Sequence, residues 1–323
     1  EYALSYEERK IIHYEFVANL MSVCANDENM KITPLFMIWD NQEQWNVIHH
    51  APTAMQRAAA ANFTHFCFGK NGWKPITDGP HFCLGDALNE SDWDFIRLCI
   101  DNGYTPEMQS AEGAVFIWSA ARMENELDSF IKHGTYHSAK WLAALMRAGA
   151  AIWGAADISH LGDVSGDILV TNYSLFPQNE KALIDSYTGG RVIKAEYIPD
   201  TDTLHEINPD TAGWVRPLNF SPVPEEYIKT LAEKINETVN ASFVSGDAEC
   251  TLNEIKTSEH TSVIAIDNNE YYYVIPVIKT ARRIKNIKII TKPDGYPLNW
   301  SENEFRVRVA GRGVDIAQIE YFD

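Results

Sequence analysis

The chain has few of the residues from which a cofactor or metal centre is built. Its five cysteines are Cys24, Cys67, Cys83, Cys99 and Cys250, and no two stand in Cys-x-x-Cys spacing. That spacing is the usual mark of a zinc site or a dithiol motif. An odd count argues against a disulfide framework, and apolar settings such as His65-Phe66-Cys67-Phe68 read as thiols packed like small hydrophobes. No run approaches the ~20 apolar residues of a membrane-spanning helix. Neither Gly-x-Gly-x-x-Gly nor a Walker A loop occurs, so a nucleotide phosphate finds no glycine cradle. Positive charge is scarce as well: 27 Lys and Arg face 45 Asp and Glu, a formal net charge of -18. That balance opposes nucleic acid and anionic membranes and suits a neutral or cationic ligand. No cofactor, no metal, no nucleic acid and no membrane partner is expected.

What remains is an ordinary globular composition, 45% hydrophobic over 323 residues, enough for one to three domains. Asn-x-Ser/Thr sequons recur from Asn62 to Asn299. They fit a secreted glycoprotein or an Asn-rich bacterial chain alike, and a secreted or periplasmic location is slightly favoured over a cytoplasmic one.

Residues 6–24 have helical periodicity, with Ile11, Ile12, Phe16, Leu20 and Val23 on one face. Strands are expected at 31–39, 64–68 and 81–84, helices at 53–61 and 92–102, the last capped by Ser91 and closed by Gly103. Further on, strands at 113–121, 150–155, 167–172 and 191–195 alternate with helices at 138–149 and 178–188. Strands alternating with helices on short loops predict parallel α/β units in a doubly wound sheet. Residues 200–224 read as a linker and 225–238 as a helix. From residue 241 onward short strands recur between turn signals, among them 262–267, 271–278, 284–291, the strictly alternating 305–310 and 314–322. This is the pattern of an antiparallel β-sandwich.

Three stretches, GAVFIWSA from Gly113, YHSAKWLAALMRAGA from Tyr136 and DILVTNYSLFPQNEKALIDSYTGGRVIKA from Asp167, resemble one module of a known family. It is the glutamine-amidotransferase-like, flavodoxin-like domain that follows the barrel in glycoside hydrolases of the family-42 β-galactosidase type, often called a trimerisation domain. FRVRVAGRGVDIAQIEY from Phe305 is similar to the closing strands of the small C-terminal β-domain of such enzymes. The resemblance implies the end of a (β/α)8 barrel over residues 1–111, the flavodoxin-like domain over 112–215 and the β-sandwich over 216–323. A whole barrel takes ~250 residues, so the chain is expected to be a C-terminal portion, or to have its barrel completed by a partner chain, or to carry something other than a barrel end over residues 1–111, in that order. A homo-oligomer acting on an oligo- or polysaccharide is also implied.

Retaining glycosidases use two carboxylates ~5–5.5 Å apart, and in barrels these stand at the carboxyl ends of strands. The eligible positions are Asp40 and Glu43, after KITPLFMIW, and Asp86, after His81-Phe82-Cys83-Leu84-Gly85, with Asp78 on the approach to that strand. Trp39 and Trp73 offer flat apolar faces to a pyranose, and His81 offers a hydrogen bond to a hydroxyl. Each has a plain structural alternative: Asp86 an Asx turn, Asp40 a strand end, the tryptophans core packing. The family's own glutamate pair is not placed on these residues; its acid/base lies earlier in the barrel. Between residues 114 and 195 there is no cysteine, so an amidotransferase-type nucleophile is missing and a structural or oligomerising role is predicted there. Two readings follow. One is the C-terminal portion of a glycoside hydrolase; the other is a non-catalytic carbohydrate-binding or oligomerisation module.

Overall fold

A computed structural model describes residues 6–27, 29–40, 45–50, 52–79, 81–85, 87–103, 108–197, 223–243, 250–292 and 294–322. Its largest sheet has six strands in the order Val192–Ala195, Asp167–Thr171, Ala114–Trp118, Ile152–Asp157, Phe66–Gly69 and Gly72–Pro75. The first five run parallel and the last is an antiparallel edge. Strands of a covered parallel sheet are apolar on both faces, and these divide residue by residue. Ala114, Phe116 and Trp118 enter one core, Val115 and Ile117 the other. The helices Tyr6–Asn26, Ser138–Arg147 and Glu225–Asn236 cover the first face; Phe176 and the helix Gln178–Asp185 close the second.

The sheet reaches into the segment that the resemblance assigns to a barrel end. Phe66–Gly69 pairs with Gly154–Ala156, and Trp73 on the next strand explains why. Its ring lies 4.3 Å from that of Trp153 and 5.0 Å from that of Phe68. A Cβ on Gly154 would stand 2.9 Å from the Trp73 ring, so that glycine opens the slot in which the indole sits. Only Leu35–Asp40 and His81–Gly85 keep a barrel-like relation: they are parallel neighbours, with Trp45–Asn46 antiparallel beside the first. Among the described residues no closed barrel forms.

The remaining strands make two antiparallel sheets. One has the order Ile284–Ile289, Val314–Tyr321, Thr261–Asn268, Cys250–Lys256 and Ser110–Ala111; the other Ala241–Phe243, Val277–Thr280, Glu304–Arg306 and Asn299–Ser301. Ile264, Ile266 and Ile319 of the first share one core with Ile278 and Phe305 of the second. The outer side of the five-stranded sheet takes the helix Pro52–Thr64, whose Ala60 meets Ala265, Val314 and Ile316. Across that seam Arg57 Nε lies 2.6 Å from Asp267 Oδ1, and the Tyr14 hydroxyl bonds Thr251 at 2.9 Å. The sheets are thus fastened to the α/β layers; residues 200–222 of the expected linker lie outside the described residues.

Three expectations change. The buried face of the first helix is Tyr14, Val17, Ala18, Met21 and Cys24, while Phe16 and Val23 are each 41% exposed; small Ala18 lets the helix lie close against Ser138–Arg147. The helix Glu90–Gly103 is capped by Asn89 rather than Ser91: Asn89 Oδ1 accepts from the Ser91 and Asp92 N–H groups, and Asp92 Oδ2 accepts from the Asn89 N–H. Tyr271–Tyr273 is not a strand. The Asn268 side chain donates to the carbonyls of Tyr272 and Ala310, turning the chain there, and only Val274 bridges to Val309 before the strand resumes at Val277.

Candidate functional site

Carboxyl ends of parallel strands are where α/β proteins place ligands, and the described residues form two such edges. The first belongs to Leu35–Asp40 and His81–Gly85. Their register sets Trp39 beside Gly85, so the backbone of Asp40 and the chain leaving Gly85 emerge side by side. Ala87, just beyond, holds φ 57°, a conformation that an alanine adopts only at a cost in strain. The short helix Val47–His50 and the helix Glu90–Gly103 follow these strands and share a core through Ile48 and Ile96. They bring His49 Nε2 within 3.0 Å of Asp92 Oδ1. The Asn89 N–H, and then His49, hold the Asp92 carboxyl below the usual carboxylate range. His49 reads from the sequence as a candidate donor to a sugar hydroxyl, but Asp92 and its pairing with His49 were not expected. Its one visible signal is the Asn89-x-x-Asp92 spacing of a capping box.

The expected positions are spread over more than one place. Asp40 and Trp39 lie in the strand end just described, whereas Glu43 and Asp86 fall outside the described residues. Asp78 and His81 stand at the opposite, amino end of the same strands. Asp78 Oδ2 accepts from the Ile32 N–H at 3.0 Å, its own N–H donates to the Ile32 carbonyl, and the His81 N–H donates to that of Pro34. Trp73 is in the six-stranded sheet, packed on Trp153.

The second edge, above Ala114–Trp118 and Asp167–Thr171, is filled by the protein itself. Ser119 caps the helix Ala120–His133: its Oγ accepts from the Arg122 N–H at 3.1 Å and donates to Glu180 Oε2 at 2.6 Å. Arg122 and Glu126 are both buried, joined Nη1 to Oε1 at 2.9 Å. Burial pulls the Arg122 guanidinium below its ordinary value, and Glu126 offsets that pull. Glu126 also accepts from Ser138 Oγ at 2.5 Å and Asn172 Nδ2 at 2.6 Å, and Asn172 Oδ1 takes the Trp141 Nε1–H at 3.1 Å. Asn172 holds φ 49°; its amide, spent on these partners, fixes the strand-to-turn bend. Neither Ser119 nor Asn172 is exposed, and no histidine reaches the Ser119 hydroxyl among the described hydrogen bonds, so this edge has the geometry of a strut.

The fold can be compared with solved structures. It is similar to Gan42B, a GH42 β-galactosidase, with TM-score 0.56 and 8% identity, covering 98% of this chain and 58% of that one. An exo-carrageenase GH42 from Bacteroides ovatus matches at TM-score 0.43 and 12% identity, over 86% of this chain and 40% of that one. The chain therefore spans well under two thirds of either protein. The likeness to Gan42B is one of fold, a glycoside-hydrolase-like arrangement of parallel and antiparallel sheets. No family model and no curated protein matches the sequence.

Proposed function

We propose that the chain is part of a carbohydrate-active enzyme that hydrolyses a β-linked glycoside with two carboxylates, and that Asp40 stands at that centre with Glu43 or Asp86. The observation that carries this reading is the likeness of fold to a β-galactosidase over 98% of the chain. The closed network around Glu126 agrees with it, because it leaves the α/β sheet a supporting part. The test is hydrolysis of an aryl β-galactoside by the full-length gene product. Asp40→Asn is expected to lower kcat by ~10²–10⁴; full activity in that variant removes Asp40 from the centre.

A second reading, an oligomerisation module, is favoured by one feature. Met123, Leu127 and Ile131 recur every fourth residue on the helix Ala120–His133 and are 39%, 61% and 55% exposed. An apolar stripe of this kind on a helix is a docking face. Light scattering showing an assembly that Leu127→Glu dissolves supports this reading, and a monomer at all concentrations removes it.

A further inference from the structure

The alternating stretch Phe305-Arg306-Val307-Arg308-Val309 has no part in either reading. The structure turns Phe305, Val307 and Val309 into the shared core of the antiparallel sheets and leaves Arg306 and Arg308 exposed on the outer face. Arg306 ends the strand Glu304–Arg306, and Arg308 follows it just before the bridge of Val309 to Val274, so both exposed guanidinium groups belong to one short ribbon. Arg312 follows in the turn after Val309. Two of the three are held by tyrosines: the Arg308 Cζ lies 4.0 Å from the Tyr273 ring centroid, and the Arg312 Cζ 4.1 Å from that of Tyr271. Stacking of this kind fixes the exposed Arg308 guanidinium while leaving its N–H edge free to bond; Arg312 is half-buried, with Nη2 closed off from solvent.

Close charge pairs are few along this ribbon. In the antiparallel region some cations meet carboxylates closely, Arg283 with Glu302 at 2.8 Å, Lys285 with Glu320 at 2.5 Å and Lys292 with Asp315 at 2.7 Å, while Lys279, Arg282 and Lys288 have no such pair among the described residues. Arg308 makes no ion pair among the described residues, Arg306 only approaches Glu304 at 3.8 Å, and Arg312 donates to the neutral Asn269 amide at 3.1 Å. The chain is segregated on a larger scale too. From Cys250 onward ten Lys and Arg balance ten Asp and Glu, so the whole net charge of -18 resides before that point. At physiological ionic strength the Debye length is ~8 Å, and a ligand on the ribbon senses its arginines above the distant acidic half.

We infer that this face docks an acidic polysaccharide built of uronic acids. Arginine forks match planar carboxylates two bonds at a time, and a single file of cations fits a thin polymer with carboxylates repeated along its length. Tyr273 and Ile275, 55% and 48% exposed beside the file, supply apolar surface for the sugar C–H faces. The docking does not depend on the hydrolytic reading. It names a chain that the antiparallel region would hold while chemistry, wherever it lies, proceeds.

The test is isothermal titration of the full chain with polygalacturonate at about 0.15 M salt. Saturable binding is expected, weakened roughly tenfold in the double variant Arg306→Gln/Arg308→Gln and abolished near 1 M salt, where the Debye length is ~3 Å. The melting temperature of that variant should equal the parent's, since both side chains are exposed; Tyr273→Leu, which removes the stack but no charge, gives an independent and smaller loss. Absence of binding, equal binding by the double variant, or equal binding of an uncharged galactan overturns the inference. Binding of dextran sulfate without polygalacturonate overturns the assignment to uronic acids. Asp40→Asn separates the two proposals, because it is expected to leave this titration unchanged whether or not it affects turnover.

Discussion

The α/β layers and the antiparallel sheets each bury a glutamate, Glu126 and Glu254, and surround it in opposite ways. In the α/β part buried or half-buried carboxylates are matched to arginines: Glu126 to Arg122, and Asp167 to Arg191 at 2.7 Å. In the antiparallel part Glu254 is buried among neutral donors, Asn240 Nδ2 at 3.0 Å and the Tyr321 hydroxyl at 3.1 Å, while arginines of the same region face outward. The first arrangement makes rigid struts that lock if every member is present. The second leaves a carboxyl that does best uncharged and a cationic face open to solvent. The comparison teaches that the strand ends of the six-stranded sheet, where ligands are usually sought, are here a structural joint.

The largest effects should come from breaking a strut. Glu126→Leu strands Arg122 as an unpaired buried charge and should cost ~3–5 kcal/mol, measured by urea denaturation. Trp141→Ala, at a side chain with no exposure, should cost a similar ~3–5 kcal/mol and also free the Asn172 amide. Glu254→Gln, by contrast, should shift the urea midpoint far less at neutral pH, because it removes no partner from a cation; a loss as large as that of Glu126→Leu would erase the distinction between the two regions.

A pH series sharpens the same contrast. Burial raises the Glu254 pKa, against hydrogen bonds from Ser262 and Asn240. A raised folded-state value means that its contribution is complete below the unfolded carboxylate value and is lost as pH rises through the folded one. The parent should therefore lose stability relative to Glu254→Gln as pH climbs above ~4. Asp167 goes the other way. Burial alone would raise it, but the Arg191 side chain and N–H together with Thr238 outweigh burial and lower it, so its contribution is present above the unfolded value and fades on acidification. Opposite pH slopes for Glu254→Gln and Asp167→Asn are the expected result. The smallest effect belongs to Arg283→Gln, an exposed pair with Glu302, which should leave the melting temperature unchanged.

Much of the architecture was legible from periodicity because covered parallel strands and half-covered antiparallel ones leave different patterns. AVFIW read as a strand buried on both faces, and it is; FRVRV read as one buried on a single face, and its burial alternates so, although the strand itself ends at Arg306 and only Val309 bridges beyond it. What escaped has a common cause: the helix Ala120–His133 buries Arg122 and Glu126 and exposes Met123, Leu127 and Ile131, so the apolar stripe that marks a helix points away from the core. Its caps, Ser119 and Gly134, were legible in the sequence; which face it buries was not. The same limit applies to the candidate site. Sequence picked strand-end residues one at a time, but the pairing of His49 with Asp92 across 43 positions, and the seating of Trp73 against Gly154, depend on elements meeting in space.

The account rests on a division of labour between the two strand-end edges, a candidate chemical one at Asp40 and a structural one at Ser119 and Glu126. The most direct test is aryl β-galactoside hydrolysis by the full-length gene product carrying Asp40→Asn or Ser119→Ala. The account predicts kcat lower by ~10²–10⁴ in the first and within about twofold of the parent in the folded second. Loss of turnover in Ser119→Ala at unchanged stability, with Asp40→Asn fully active, would contradict it.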